Sequence, residues 1–323
     1  MANKLPAAST QMKGHQIQDK HAERGVVRVG PAGWSFADWA GIVYPRKKPP
    51  GFHEAAYLAE YFDTIEINTS FYQPVRPEHC ELWLGYVAAN PRFLFTAKLW
   101  QRFTHELAAG APASAEDERA VRAGFDLLRD AGKLGAVLIQ FPFSFHRTPD
   151  NSNYLKRLLK RFDDYPLVVE VRHASWNDSA FYELLHARGV GFCNIDQPLI
   201  GRSLRPSERT TAGVGYVRLH GRRSDTWFSD DPETTPHERY DYLYSEAELE
   251  PWVARIKHVA EHSKSTFVVA NNHFQGKGIV NALQLMSALD GAKVKVPELL
   301  RQRYPVLDKI ADEPPKEPTL FPT

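Results

Sequence analysis

The chain has 323 residues, 43% of them hydrophobic, enough to bury one large α/β core or two smaller ones. Forty basic and 39 acidic residues leave a formal net charge of +1, so no global field marks a nucleic-acid or membrane-surface protein and any electrostatic recognition must be local. Two isolated cysteines, Cys80 and Cys193, exclude a disulfide framework and a CxxC zinc site and fit a reducing, cytoplasmic compartment, while no apolar run nears the roughly 18 to 20 residues of a membrane span.

Residues 1–24 are polar and aperiodic and read as a mobile N-terminal tail. From Val26 onward, short apolar runs alternate with helical patterns. The strands expected are Val26 to Gly30, Thr64 to Asn68, Phe93 to Lys98, Ala136 to Gln140, Leu167 to Arg172, Gly191 to Asn194, Gly215 to His220 and Thr266 to Ala270. Helices are expected over His53 to Phe62, Glu78 to Ala89, Glu116 to Lys133, Tyr154 to Phe162, Ser179 to Arg188, Ser245 to Glu261 and Gly276 to Leu289. The connection from Gln197 to Ala212 is too broken by Pro and Gly for a helix. Eight strands alternating with helices over roughly 250 residues predict a single (β/α)8 TIM-type barrel spanning 25–300, followed by a Pro-rich C-terminal tail over 301–323. A doubly wound open sheet is the rival, but it would concentrate polar residues at one switch point, whereas here nearly every strand ends in them.

Side chains alternate along a strand, so Glu170 and Arg172 share one face of the fifth strand, Glu66 and Asn68 one face of the second, and Arg218 and His220 one face of the seventh. With Lys98, Gln140, Asp196, Asn271 and Asn272 they are expected to rim one site at the C-terminal face of the barrel. The cations Lys98, Arg172 and Arg218 suit an anionic, phosphate-bearing substrate, a nucleotide or nucleic acid included. Glu66, Glu170, Asp196 and His220 are the expected catalytic acid/base or hydrolytic groups, and Asn68, Gln140, Asn271 and Asn272 the orienting ones. Trp34 and Trp176, with Tyr72 and Trp227, offer stacking faces. The bland alternative is a closed salt-bridge network that fills the barrel top. A non-catalytic module that holds nucleic acid or a phosphate ligand is the rival function.

No cofactor is required by this reading. A divalent metal on Glu66, Glu170, Asp196, His220 and His273 is the competitor, opposed by the repulsion of Lys98, Arg172 and Arg218. Gly276-Lys277-Gly278 opens the last helix and could present free amides to an anion. His258-Val-Ala-Glu261-His262 matches the HxxEH pattern, but the apolar stripe of Trp252, Val253, Ile256 and Val259 puts both histidines on the solvent face, remote from the site. Two loops are long and aromatic, 31–51 with Trp34, Phe36, Trp39 and Tyr44, and 221–244 with Arg222, Arg223, Trp227, Asp230 and Asp231.

Taken as a set, Gly30-Pro-Ala-Gly-Trp-Ser35 with Tyr44-Pro45, Glu66-Ile-Asn68 with Phe71-Tyr72, Lys98 with Thr104-His105, Gln140-Phe-Pro142, Glu170-Val-Arg-His173 with Ser175-Trp176, Arg218-Leu-His-Gly221 and Asn271-Asn-His273 with Gly276 resemble the YecE-like family of largely uncharacterised TIM-barrel proteins (domain of unknown function 72). The resemblance spans about residues 26 to 290. It implies a TIM-type barrel and no settled activity, with fold-level kinship to xylose isomerase-like barrels, endonuclease IV among them. Pro31-Ala32 departs from the family pattern and removes a backbone donor. Beyond the barrel, Leu320-Phe321 ends an extended Pro-rich linker. It is similar to the short tails that dock on the replication sliding clamp, but lacks the upstream glutamine. A tail folded back on its own barrel is the preferred expectation.

Overall fold

The computed structural model describes residues 25–106, 113–225 and 238–312. Trp227, Asp230, Asp231, the expected N-terminal tail, residues 313–323 of the expected C-terminal tail and with them the Leu320-Phe321 pair lie outside the described residues. Eight parallel strands form the barrel: β1 (Val26–Pro31), β2 (Thr64–Ile67), β3 (Leu94–Lys98), β4 (Leu134–Gln140), β5 (Leu167–Glu170), β6 (Gly191–Asp196), β7 (Val214–Leu219) and β8 (Ser265–Ala270). From β2 to β8 each strand pairs with its sequence neighbours, and β1 pairs with β8, in the order of a TIM barrel. All eight strands fall where the sequence predicts them.

The cylinder is thinnest at the β1–β2 seam. There a single parallel bridge joins Ala32 to Glu66, and the Gly33 N–H donates to the Glu66 carbonyl at 2.8 Å. Glycine is required at this seam, because a Cβ on Gly30 would sit 1.9 Å from the Thr64 carbonyl oxygen.

The outer layer consists of α1 (Glu54–Leu58), α2 (Pro77–Tyr86), α3 (Ala115–Asp130), α4 (Pro149–Arg161), α5 (Ser179–Ala187), α6 (Glu246–Glu261), α7 (Lys277–Asp290) and α8 (Glu298–Arg303). Local chemistry sets their starts. Ser114 and Asp117 form a reciprocal capping box on α3, Thr148 caps α4 ahead of Pro149, and Asp178 caps α5. The β6–β7 connection carries no helix, in keeping with its Pro and Gly. The expected start of the C-terminal tail, residue 301, falls inside α8. Packed chain runs on to Asp312, with Leu300 and Leu307 buried and Val294 bridged to Ala311.

His258, Glu261 and His262 are exposed on α6, with ligand atoms within 4.8 Å of one another. They stand in the helical layer, as their place opposite the apolar stripe predicts. No helix among the described residues is long and apolar enough to cross a membrane.

Candidate functional site

Side chains from five strands meet inside the barrel in one hydrogen-bonded network. Arg218 of β7 is wholly buried and donates through Nη1 to Glu170 Oε2 at 2.7 Å and to Gln140 Oε1 at 3.0 Å. Its Nη2 donates to Glu66 Oε1 at 2.8 Å. Tyr216, two residues earlier on the same face, gives its hydroxyl to Glu66 Oε2 at 2.9 Å and lies 2.9 Å from Thr96 Oγ1. Arg172 donates to Glu170 Oε1 at 3.1 Å, His220 Nε2 lies 3.2 Å from the same oxygen, and Asn271 Nδ2 meets His220 Nδ1 at 2.9 Å. Strand alternation thus brings Glu66, Gln140, Glu170, Arg172, Arg218, His220 and Asn271 together, as their parity predicts.

The electrostatics fix the protonation of this network. Burial would raise the Glu170 carboxyl, but Arg218, then His220 and Arg172, hold it well below the usual carboxylate range. Burial lowers His220 to about 3 despite the Glu170 charge, so its imidazole is neutral. The Arg218 guanidinium fills the space between Glu66 and Glu170 that a dication would need, and both carboxylates already accept its protons. The five residues of the competing metal reading are not gathered around one point. Asp196 faces the helical layer instead, accepting from Trp252 Nε1 at 3.0 Å and pairing with Arg222 at 2.9 Å. His273 lies at the other end of the mouth, stacked on Phe36 with ring centroids 4.3 Å apart.

Above the network opens a cleft of about 850 Å³ that straddles the β1–β2 seam. Its floor includes Asn68, Lys98 and Asn271, and its walls carry Trp34, Phe36, Tyr72, Trp83, Tyr86 and Tyr240. Arg76, His53, His79 and His273 supply further nitrogen groups, and among the described residues no Asp or Glu lines it. The β1 and β8 loops that form one wall are tied together: Trp39 Nε1 donates to the His273 carbonyl at 2.8 Å, and the Gln275 N–H to Asp38 Oδ2 at 2.6 Å. Gln275 adopts φ 51°, a left-handed conformation that such fastening helps to hold.

Lys98 connects network and cleft. Its Nζ donates to Asn68 Oδ1 at 3.2 Å and stands 4.3 Å from the Phe71 ring centroid. Desolvation, and then the Arg218 charge, lower its ammonium from 10.5 to about 7. His105, edge-on to Phe71, falls to about 4 through burial and then the charges of Arg172 and Lys98.

Several expected site residues are placed elsewhere. Arg218 grips carboxylates and does not line the cleft. Asn272 faces α7, donating to Tyr242 O and Asn281 Oδ1. Trp176 is buried with its Nε1 on the Phe145 carbonyl. Lys277 of the Gly-Lys-Gly turn pairs with Asp241, and Gly276 is packed against Val43 and Leu300. Conversely, His53, Arg76, His79, Trp83, Tyr86 and Tyr240 reach the cleft from loops and helices, where no strand parity flags them. Cys80 and Cys193 are buried free thiols, both pushed up by burial.

Residues 28–304 match the family described as protein of unknown function DUF72. The crystal structure of a DUF72 family protein from Thermotoga maritima MSB8 is 33% identical, with a TM-score of 0.70 over 82% of this chain and 99% of that one. A DUF72 family protein from Enterococcus faecalis V583 has the same fold at 22% identity, with a TM-score of 0.70 over 82% of this chain and 96% of that one. No curated protein matches the chain. With its barrel and most of its length shared in this way, the chain belongs to the DUF72 family.

Proposed function

We propose that the chain is a barrel enzyme that binds an anionic, phosphate- or carboxylate-bearing substrate in the cleft over the β1–β2 seam and works on it by proton transfer through Lys98. The supporting observation is the composition of the cleft: Lys98 on the floor and Arg76 on the wall, with no carboxylate among the described lining residues. A half-buried anion is stabilised there, and a dication is not. The six aromatic rings suit a planar or sugar-like portion of the same substrate.

Of the expected catalytic groups, Glu170 is held ionised by its cations and His220 is held neutral, so neither changes protonation near neutrality. Lys98 does, which makes it the fitting acid/base. Glu66 and Glu170 then serve to fix Arg218, whose charge keeps Lys98 poised.

A non-catalytic module holding nucleic acid or a phosphate ligand is the second reading. It draws on Tyr72, 67% exposed at the lip, where a base could stack. Calorimetry separates binding from its absence. Inorganic phosphate and a nucleoside monophosphate should bind the wild type, and Arg76→Ala and Lys98→Met should each weaken binding about tenfold, or about 1.4 kcal/mol. Equal affinities in all three proteins would remove the anion cleft.

A further inference from the structure

Lys98 is built for more than carrying a proton. Its backbone N–H donates to Ser70 Oγ at 2.9 Å, and Ser70 in turn donates to the Ile67 carbonyl at 2.6 Å, so the stem is pinned to the loop after β2. Its Nζ makes no ion pair among the described residues and meets a neutral amide, Asn68, and the face of Phe71. A lysine locked to a carboxylate keeps its proton and its lone pair stays masked. This one opens on a cleft large enough for a substrate, and a second neutral amide, Asn271, shares the floor.

We propose that Lys98 is a nucleophilic catalytic residue that forms an imine with an anionic aldehyde or ketone bound in the cleft. The proposal rests on the anion-cleft reading and names its substrate class. The neutral amine adds its lone pair to the carbonyl carbon, a C–N bond forms, and the carbonyl π pair moves to oxygen, which takes up a proton. Nitrogen then loses a proton to solvent, the hydroxyl takes up a proton from solvent and leaves as water, and the nitrogen lone pair closes the C=N bond to give the protonated imine. Hydrolysis runs the same steps backward, so no oxidant or reductant is needed. Asn68 and Asn271 are positioned to hold the oxygen as it passes from carbonyl to hydroxyl.

The charges around the amine come from several elements: Glu66 on β2, Arg218 on β7, Glu170 and Arg172 at the end of β5, and His105 after β3. Burial first, and then the balance of these charges, lowers the Lys98 ammonium to about 7, so the neutral amine is accessible near neutrality. In solvated lysines, with an ordinary value of about 10.4, it is far scarcer.

The test uses pyridoxal 5′-phosphate, a phosphorylated aromatic aldehyde, on the full chain, followed by borohydride reduction and peptide mass mapping. Lys98 should be modified at pH 7 about tenfold or more faster than surface lysines, with a rate that climbs through pH 7 and falls when inorganic phosphate is added. Lys98→Arg keeps the charge and should abolish the fast phase. Modification confined to surface lysines, in a protein that still binds phosphate by calorimetry, overturns the imine and leaves the cleft reading standing. Fast modification of Lys98 that phosphate does not slow supports the nucleophile and overturns the anion cleft. The wild-type map decides the matter even if Lys98→Arg fails to fold.

Discussion

Arg218 and Glu170 meet at 2.7 Å with both side chains wholly buried, and Glu66 grips the other arm of the same guanidinium at 2.8 Å. Arg218 is thus a bolt through the barrel. Replacing it with Met should leave the buried Glu66 carboxylate without its cation and Glu170 with Arg172 alone, and cost about 3–5 kcal/mol in urea denaturation. Adding Glu66→Gln and Glu170→Gln to Arg218→Met should recover part of that loss. A mild single variant would refute the bolt.

Lys98→Met should have the opposite sign. The folded-state ammonium titrates at about 7 against 10.5 ordinarily, so the unfolded chain binds more protons between those values. The burial penalty is therefore full below pH 7 and fades as pH rises toward 10.5. At pH 7 or below, Lys98→Met should melt higher by about 2–6 °C, and the gain should shrink by pH 10. A variant that melts lower at every pH counts against a strained lysine.

Acid should loosen the fold before its carboxylates titrate. His220 and His105 have folded values of about 3 and about 4 against 6.5, so the unfolded chain takes up more protons as pH falls through 6.5. The sign gives stability that declines from pH 6.5 downward, with Glu170 adding to the fall only below 4.5. The urea midpoint should drop between pH 7 and pH 4.5, and His220→Gln should flatten the slope. An unchanged slope in that variant would acquit His220.

Tyr72 is exposed at the lip, so Tyr72→Ala should shift stability by less than about 0.5 kcal/mol. Affinity for a nucleoside monophosphate should fall several-fold, about 1 kcal/mol of lost stacking, while inorganic phosphate binds as before. Parallel losses for both ligands would deny Tyr72 a stacking role.

The barrel was legible because β-branched runs of period two repeat eight times with helical spacers. The same parity gathered Glu66, Glu170, Arg218 and His220. It misplaced Asp196 because the strand was drawn only to Asn194. Had it been carried on, Cys193 and Ile195 would share the inner face and Asp196 the outer. Burial gives no warning there, since all six residues of β6 are buried. The cleft walls were illegible for another reason. Arg76 and His79 sit at the start of α2 and His53 caps α1, so only the path of the chain brings them to the mouth.

The single bridge at the β1–β2 seam has a thermodynamic corollary. The cleft is bordered by Gly33 through Phe36 on one side of that seam and by Asn68, Thr69 and Tyr72 on the other. A guest touching both margins would act as the missing rung of the ladder. Occupancy and cylinder closure would then be linked functions, and amide protons of Gly33 and Ile67 would exchange with solvent more slowly in the loaded protein.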